Sequence, residues 1–169
     1  MNESVDVLAS IRATLTAYNI AGDRLHLNEL AATFTEDGVL ETPLAVFHGR
    51  DEIKRGLAGG VQDRAQRSSA HSPRLSVVRH HLTTSQIEFE GATVARARSY
   101  FLVYSDIGPD HAGVYVDRLA DCGGRWLLTH RRVLIDWVAD ESLFTELREA
   151  HRRRLESVRA AKATEFSRR

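Results

Sequence analysis

The sequence predicts an α+β fold: a cone in which N-terminal helices cap a strongly bent antiparallel sheet, with one further helix at the C-terminus. Three observations predict it. Apolar residues recur at three- and four-residue steps through the first part of the chain, as in Val5, Leu8, Ile11, Leu15 and Tyr18. From Ser76 the pattern changes to alternation punctuated by turn residues. After Ser142 a long charged stretch returns to helical spacing through Leu143, Leu147, His151, Leu155 and Val158.

The elements follow in order. Ser4 is a suitable N-cap for the first helix, and Gly22 a suitable stop. Asp23 is expected to open a second helix, where a carboxylate favours the dipole. That helix would bury Leu27, Leu30, Ala31 and Phe34, and Thr35-Glu36-Asp37-Gly38 would be a turn. Val39–Thr42 and Ala45–His48 read as short strands broken by Pro43. A third helix is expected from Arg50 to about Leu57, ended by Gly59-Gly60, and residues 61–75 as an irregular loop. The meander then comprises Ser76–Glu90, Thr93–Ser105, Gly113–Ala120 and Arg125–Val138. Gly108-Pro109-Asp110-His111 reads as a connection, and Asp121-Cys122-Gly123-Gly124 as a hairpin turn.

Period two fixes the faces of the second long strand. Ala95, Ala97, Ser99, Phe101 and Val103 make a small, apolar face suited to a cavity; Arg96, Arg98, Tyr100 and Tyr104 make one suited to solvent or a subunit interface.

Composition narrows the function classes. The chain has 169 residues, enough for one domain with a substantial core. It is 43% hydrophobic and 27% charged, as an ordinary globular domain is. A formal net charge of +0 argues against nucleic acid as a partner, and Arg152-Arg153-Arg154 reads as a solvated face. One cysteine, Cys122, excludes an internal disulfide and points to a reducing, cytoplasmic setting. No apolar run has the length of a membrane span, and the acidic N-terminus does not resemble a secretory signal. The histidines show no helical ligand spacing and no HExxH motif, so no metal is expected. No phosphate-cradling glycine loop occurs, and no cofactor is expected.

The chemistry concentrates at Arg79-His80-His81. Histidine is the side chain whose ordinary pKa lies nearest neutrality, and so the default general base in a pocket. Adjacent strand residues face opposite ways, so only one of the pair should enter a cavity unless a bulge intervenes.

With these residues set out, the chain resembles the SnoaL-like branch of the nuclear-transport-factor-2-like superfamily. The resemblance rests on Tyr18…Asp23, Leu30-Ala31-Ala32-Thr33-Phe34-Thr35-Glu36-Asp37-Gly38, Phe47-His48-Gly49-Arg50-Asp51-Glu52-Ile53, Arg79-His80-His81, Gly113-Val114-Tyr115-Val116-Asp117, and Gly124-Arg125-Trp126 leading to His130-Arg131-Arg132. That branch includes scytalone dehydratase, hexachlorocyclohexane dehydrochlorinase, polyketide cyclases and the small subunits of ring-hydroxylating dioxygenases. The resemblance implies a barrel domain over residues 1–140, with 141–169 as a helical extension.

The resemblance also implies a role for two residues: Asp23 would orient His80 as general base. Tyr18, Phe34, Phe47, His81, Phe101, Tyr115 and Arg131 are the expected substrate contacts, with Tyr18 and Arg131 polar. Each has a plainer reading as well: Asp23 as a helix cap, His80 as a structural histidine, Arg131 as a structural ion pair, and the aromatics as core. The strand after His80 offers only Ala97, Ser99 and Phe101 to the pocket, so a second proton donor is not evident. The expected activity is that of a cofactor-independent lyase or isomerase, dehydratase- or cyclase-like, on a small apolar or polyketide-like molecule. The alternatives are a non-catalytic dioxygenase small subunit and a ligand-binding module. Self-association as a homodimer or homotrimer is expected.

Overall fold

A computed structural model describes residues 3–67 and 75–166. Helix α1 spans Glu3–Asp23 and is followed by the short α2, Leu27–Ala31. Strands β1 (Phe34–Glu41) and β2 (Val46–His48) come next, then α3 (Gly49–Arg67). The long strands are β3 (Val78–Phe89), β4 (Val94–Ser105), β5 (Gly108–Asp121) and β6 (Trp126–Val138). Helix α4, Thr145–Phe166, completes the chain. The expected α+β class and the N-terminal cap of helices are present.

The sheet departs from a simple meander. Its six strands lie in the order β2-β1-β6-β5-β4-β3, and β1 runs parallel to β6 while the other pairs are antiparallel. The expected turn at Thr35–Gly38 is part of β1, whose pairing with β6 slips between Phe34 and Val39. Gly38 makes that close pairing possible: a Cβ there would sit 2.9 Å from both the Leu128 carbonyl oxygen and the Phe34 Cβ. Phe34 accordingly belongs to the strand, not to a helix face.

Two helix boundaries also move. Asp23 ends α1 instead of opening α2, and α2 starts after His26. The chain reverses at Leu25, in the left-handed region at φ 57°. Helix α3 continues through Gly59-Gly60, although each glycine weakens a helix by about 1 kcal/mol relative to alanine. The inward face continues across them: Leu57, packed against the core, and Val61, one turn on, line the same cavity. The loop expected over 61–75 is therefore helical to Arg67, and its residues 68–74 lie outside the described residues.

Strand β5 begins five residues earlier than the periodicity suggested. It pairs Val103 with His111 and Tyr104 with Pro109, leaving Asp110 as the extra residue of a bulge. Further shifts at Ala112/Gly113 and Arg118/Leu119 bend the β5–β6 pair. Gly113 sits at one of them, where a Cβ would meet the Leu134 carbonyl oxygen at 2.0 Å.

The core fills the concave side of the sheet. Ile11, Leu15 and Tyr18 of α1 pack with Phe34, Ala97, Phe101, Tyr115 and Leu128. The alternation on β4 is complete: Ala95, Ala97, Ser99, Phe101 and Val103 are buried, and Arg96, Arg98, Tyr100 and Tyr104 are exposed. In the middle of this core lies an ion pair. Arg131 and Asp117 are both fully buried and bonded through two parallel contacts, Nε to Oδ1 at 2.8 Å and Nη2 to Oδ2 at 2.7 Å. The guanidinium is flanked by the rings of Tyr18 and Tyr115, at 4.1 and 4.2 Å from their centroids.

Candidate active site

A cavity of about 610 Å³ opens where α1, α2 and α3 meet β3 and β5. Tyr18, Asn19, Asp23, Ser76, His80 and His111 supply its polar lining. Leu25, Leu27, Leu30, Leu57, Val78 and Phe144 supply apolar wall. A second hollow, about 660 Å³ between the end of β6 and α4, is lined by Trp137, Arg148 and His151 among others and holds neither of the pairs described next.

Asp23 and His80 are 57 residues apart in sequence and in contact in space. The Asp23 carboxylate accepts from His80 Nδ1 at 2.6 Å and from the His80 backbone N–H at 3.2 Å to each oxygen. An ionised carboxylate only accepts, so Nδ1 carries the hydrogen and Nε2 is left as the free nitrogen of the neutral ring. Pairing places His80 opposite Val103 on the concave face. His81 pairs with Leu102 and points the other way, its ring 5.6 Å from that of Tyr104 on the outer surface. His81 therefore does not reach the cavity.

The structure supplies a second imidazole that the sequence reading passed over. His111 Nδ1 lies 2.7 Å from Asp110 Oδ1. Asp110 is fully buried and also accepts from Ser105 Oγ and Ser142 Oγ, each at 2.8 Å. Burial alone would raise the Asp110 pKa, but the hydrogen bonds from His111, Ser105 and Ser142 outweigh it and hold the carboxyl below its ordinary value. It therefore stays ionised, and His111, like His80, donates from Nδ1. The bulge at Asp110 lets adjacent Asp110 and His111 both turn inward, against strict alternation. The two histidine rings stand 6.5 Å apart, centroid to centroid, at 83°.

The remaining expected contacts are placed as follows. Tyr18 lines the cavity, and burial raises its pKa, so it is a neutral phenol at physiological pH. Phe101 lies 6.5 Å from the His80 ring and 6.2 Å from the His111 ring, and stacks on Tyr115 at 4.3 Å. Phe34 is buried against Tyr18, and Phe47 packs beside Gly56 of α3. Phe34, Phe47, Phe101 and Tyr115 belong to the layer behind the lining residues. Arg131 is paired with Asp117 and has no exposed surface, so it does not reach the cavity as the expected polar contact; its plainer reading as an ion pair fits the geometry. Its charge instead sits beneath Tyr18 and Tyr115.

Besides Asp110 and His111, the sequence reading missed Asn19 and Phe144. Asn19 stands one turn before Asp23 on the same helix face, a spacing visible in the sequence. For His111 a signal existed too: His111, Gly113, Tyr115 and Asp117 are alternate residues, all buried. The Gly108-Pro109 pair masked it by reading as a turn. Nothing in the sequence marks Phe144. Among the described residues no cluster of three or more potential metal ligands occurs. No helix there is long and apolar enough to cross a membrane.

Comparison with known structures places this architecture. A variant of Rv3472, a protein of unknown function from Mycobacterium tuberculosis, is 24% identical, with a TM-score of 0.69 over 89% of this chain and 92% of that one. A candidate scytalone dehydratase from Novosphingobium aromaticivorans is 26% identical, with a TM-score of 0.63 over 79% and 86%. A Catenulispora acidiphila protein solved in complex with S-DNPA is 26% identical, with a TM-score of 0.61 over 76% and 92%. No match is found among curated proteins. Residues 3–132 match the family described as the SnoaL-like domain. That span contains both histidine–aspartate pairs, and the chain belongs to the SnoaL-like domain family.

Proposed function

We propose that the protein is a cofactor-independent lyase or isomerase that moves a proton next to an electron-withdrawing group on a small, largely apolar molecule. The observation that carries the proposal is the 2.6 Å contact between Asp23 and His80 Nδ1 at a cavity wall. His80 Nε2 would take the C–H proton, and Asp23 would stabilise the imidazolium that forms. His111 faces His80 and, when protonated, would give a proton to a departing hydroxyl or to the far carbon of an enolate. Elimination, double-bond migration and cyclisation all use these two steps.

The support is chemical. A carboxylate at the C-terminal end of a helix lies at the unfavourable end of the dipole, so helix stability does not account for Asp23. A subunit whose work is assembly gains nothing from two imidazoles pinned in a cavity, which favours catalysis over the dioxygenase-subunit reading. A small organic ligand is in keeping with the fold, since the similar Catenulispora acidiphila protein was solved in complex with S-DNPA. The leucine-rich wall suits an apolar or polyketide-like substrate.

The test follows α-proton exchange in D2O by NMR, using a panel of hydroxylated cyclic ketones. Wild-type protein should exchange at least one of them, and His80→Ala should slow the exchange by roughly 10²–10⁴-fold with an unchanged fold. Equal rates in wild type and His80→Ala would overturn the proposal. Self-association is part of the same reading. Tyr100, Tyr104 and Trp137 are exposed, and a dimer or trimer mass by light scattering at micromolar concentration is expected.

A further inference from the structure

Residues 139–144 join β6 to α4 and lie beyond the span matched to the family. They are fastened to Asp110 twice over. The Ala139 N–H donates to the Asp110 carbonyl oxygen at 2.7 Å, and Ser142 Oγ donates to the Asp110 carboxylate at 2.8 Å. The segment also holds its own shape: the Ser142 N–H donates to the Ala139 carbonyl, and the Phe144 N–H to Ser142 Oγ, each at 3.1 Å. Ser142 is 2% exposed. Phe144 then stands on the cavity wall with its ring 5.1 Å from His111, edge to face.

The arrangement has a consequence for His111. Ser142 Oγ and His111 Nδ1 both donate to the same oxygen, Asp110 Oδ1. Ser105 holds the other oxygen. Two hydroxyls from different elements thus fix the carboxylate plane, and that plane fixes the tautomer and direction of the imidazole.

We propose that this strap is a working part of the site: Ser142 is a positioning residue that sets the His111 tautomer through Asp110, and Phe144 clamps the same ring from the cavity side. The region after residue 140 is then not an appendage to the barrel. The proposal rests on the reading of the cavity as the functional site, but its test does not depend on turnover.

The experiment is long-range ¹H–¹⁵N correlation spectroscopy of the histidine rings in the full chain, labelled with ¹⁵N-histidine. His111 in wild type should show one Nδ1–H tautomer with a slowly exchanging proton. Ser142→Ala should give a mixture of tautomers and at least tenfold faster exchange of that proton, with His80 unchanged. Ser142→Thr, which restores a hydroxyl, should recover the wild-type spectrum. Ser142→Cys keeps the size with a weak donor and reads the same quantity if the alanine variant fails to fold. A His111 spectrum in Ser142→Ala, or in Ser142→Cys in its place, identical to wild type would overturn the proposal. A changed tautomer with unchanged α-proton exchange would uphold it, and would remove His111 from the proposed reaction instead.

Discussion

Two aspartates in this chain hold nitrogen bases to opposite ends. Asp23 and His80 are partly open to the cavity, whereas Asp117 and Arg131 are sealed in the core. Asp23→Asn should keep the fold, because the amide still accepts from the His80 backbone. It should lower turnover by about 10⁴-fold, since an amide N–H facing Nδ1 reverses the tautomer. Comparing turnover with melting temperature checks this. Asp117→Ala should do the reverse and strike stability first. A guanidinium left unpaired in a sealed site costs about 3–5 kcal/mol. For a chain of this size that lowers the melting temperature by roughly 10 °C, measurable by calorimetry.

At the scale of elements, β5 decides what the sheet can hold. Its inward residues are His111, Gly113, Tyr115 and Asp117: a reactive ring, a gap, a wall and an ion. The gap is needed because β6 crosses there, with the Leu134 carbonyl oxygen 2.0 Å from where a Cβ would be. Gly113→Ala must push the strands apart, and a loss of several kcal/mol is expected by urea denaturation, comparable to severe overpacking. β5 also shows what a sequence conceals. The β4 faces were readable, as was the rule that only one of His80 and His81 enters the cavity, because period two survives any error in strand ends; that His81 is the one turned outward was not. The first residues of β5 were not readable, because glycine followed by proline is the ordinary signature of a turn and here enters a bulged strand. α3 was misjudged for a related reason: an inward face carried on by Leu57 and Val61 outlasts two glycines that locally say stop. Asp23 was placed at the wrong helix end, since a single left-handed residue, the exposed Leu25, separates the two possibilities.

Across the whole molecule, acid should act through the carboxylates that the fold holds ionised. The Asp110 pKa is depressed below its ordinary 3.8 in the folded state, and hydrogen bonds from Ser76 and the Val77 backbone bring that of Asp106 to about 2. The unfolded chain therefore takes up protons first, and stability contributed by these groups at neutral pH declines as pH falls from about 4 toward 2. Unfolding free energies measured between pH 6 and 2 should fall steeply in that window. Asp110→Asn should start lower at neutral pH and decline less. A parallel shift, with the acid slope intact, would assign the acid sensitivity to other groups.

The bulge at Asp110 carries a historical implication. A point substitution changes one side chain; an inserted residue changes the facing of the strand beyond it. The second histidine–aspartate pair exists because β5 spends two residues, Pro109 and Asp110, in advancing one step along β4. Removing one of them would restore plain pleating and turn a carboxylate away from its imidazole at a stroke. Relatives with and without this pair should therefore differ by the length of the β4–β5 hairpin, not by gradual exchange of residues within it.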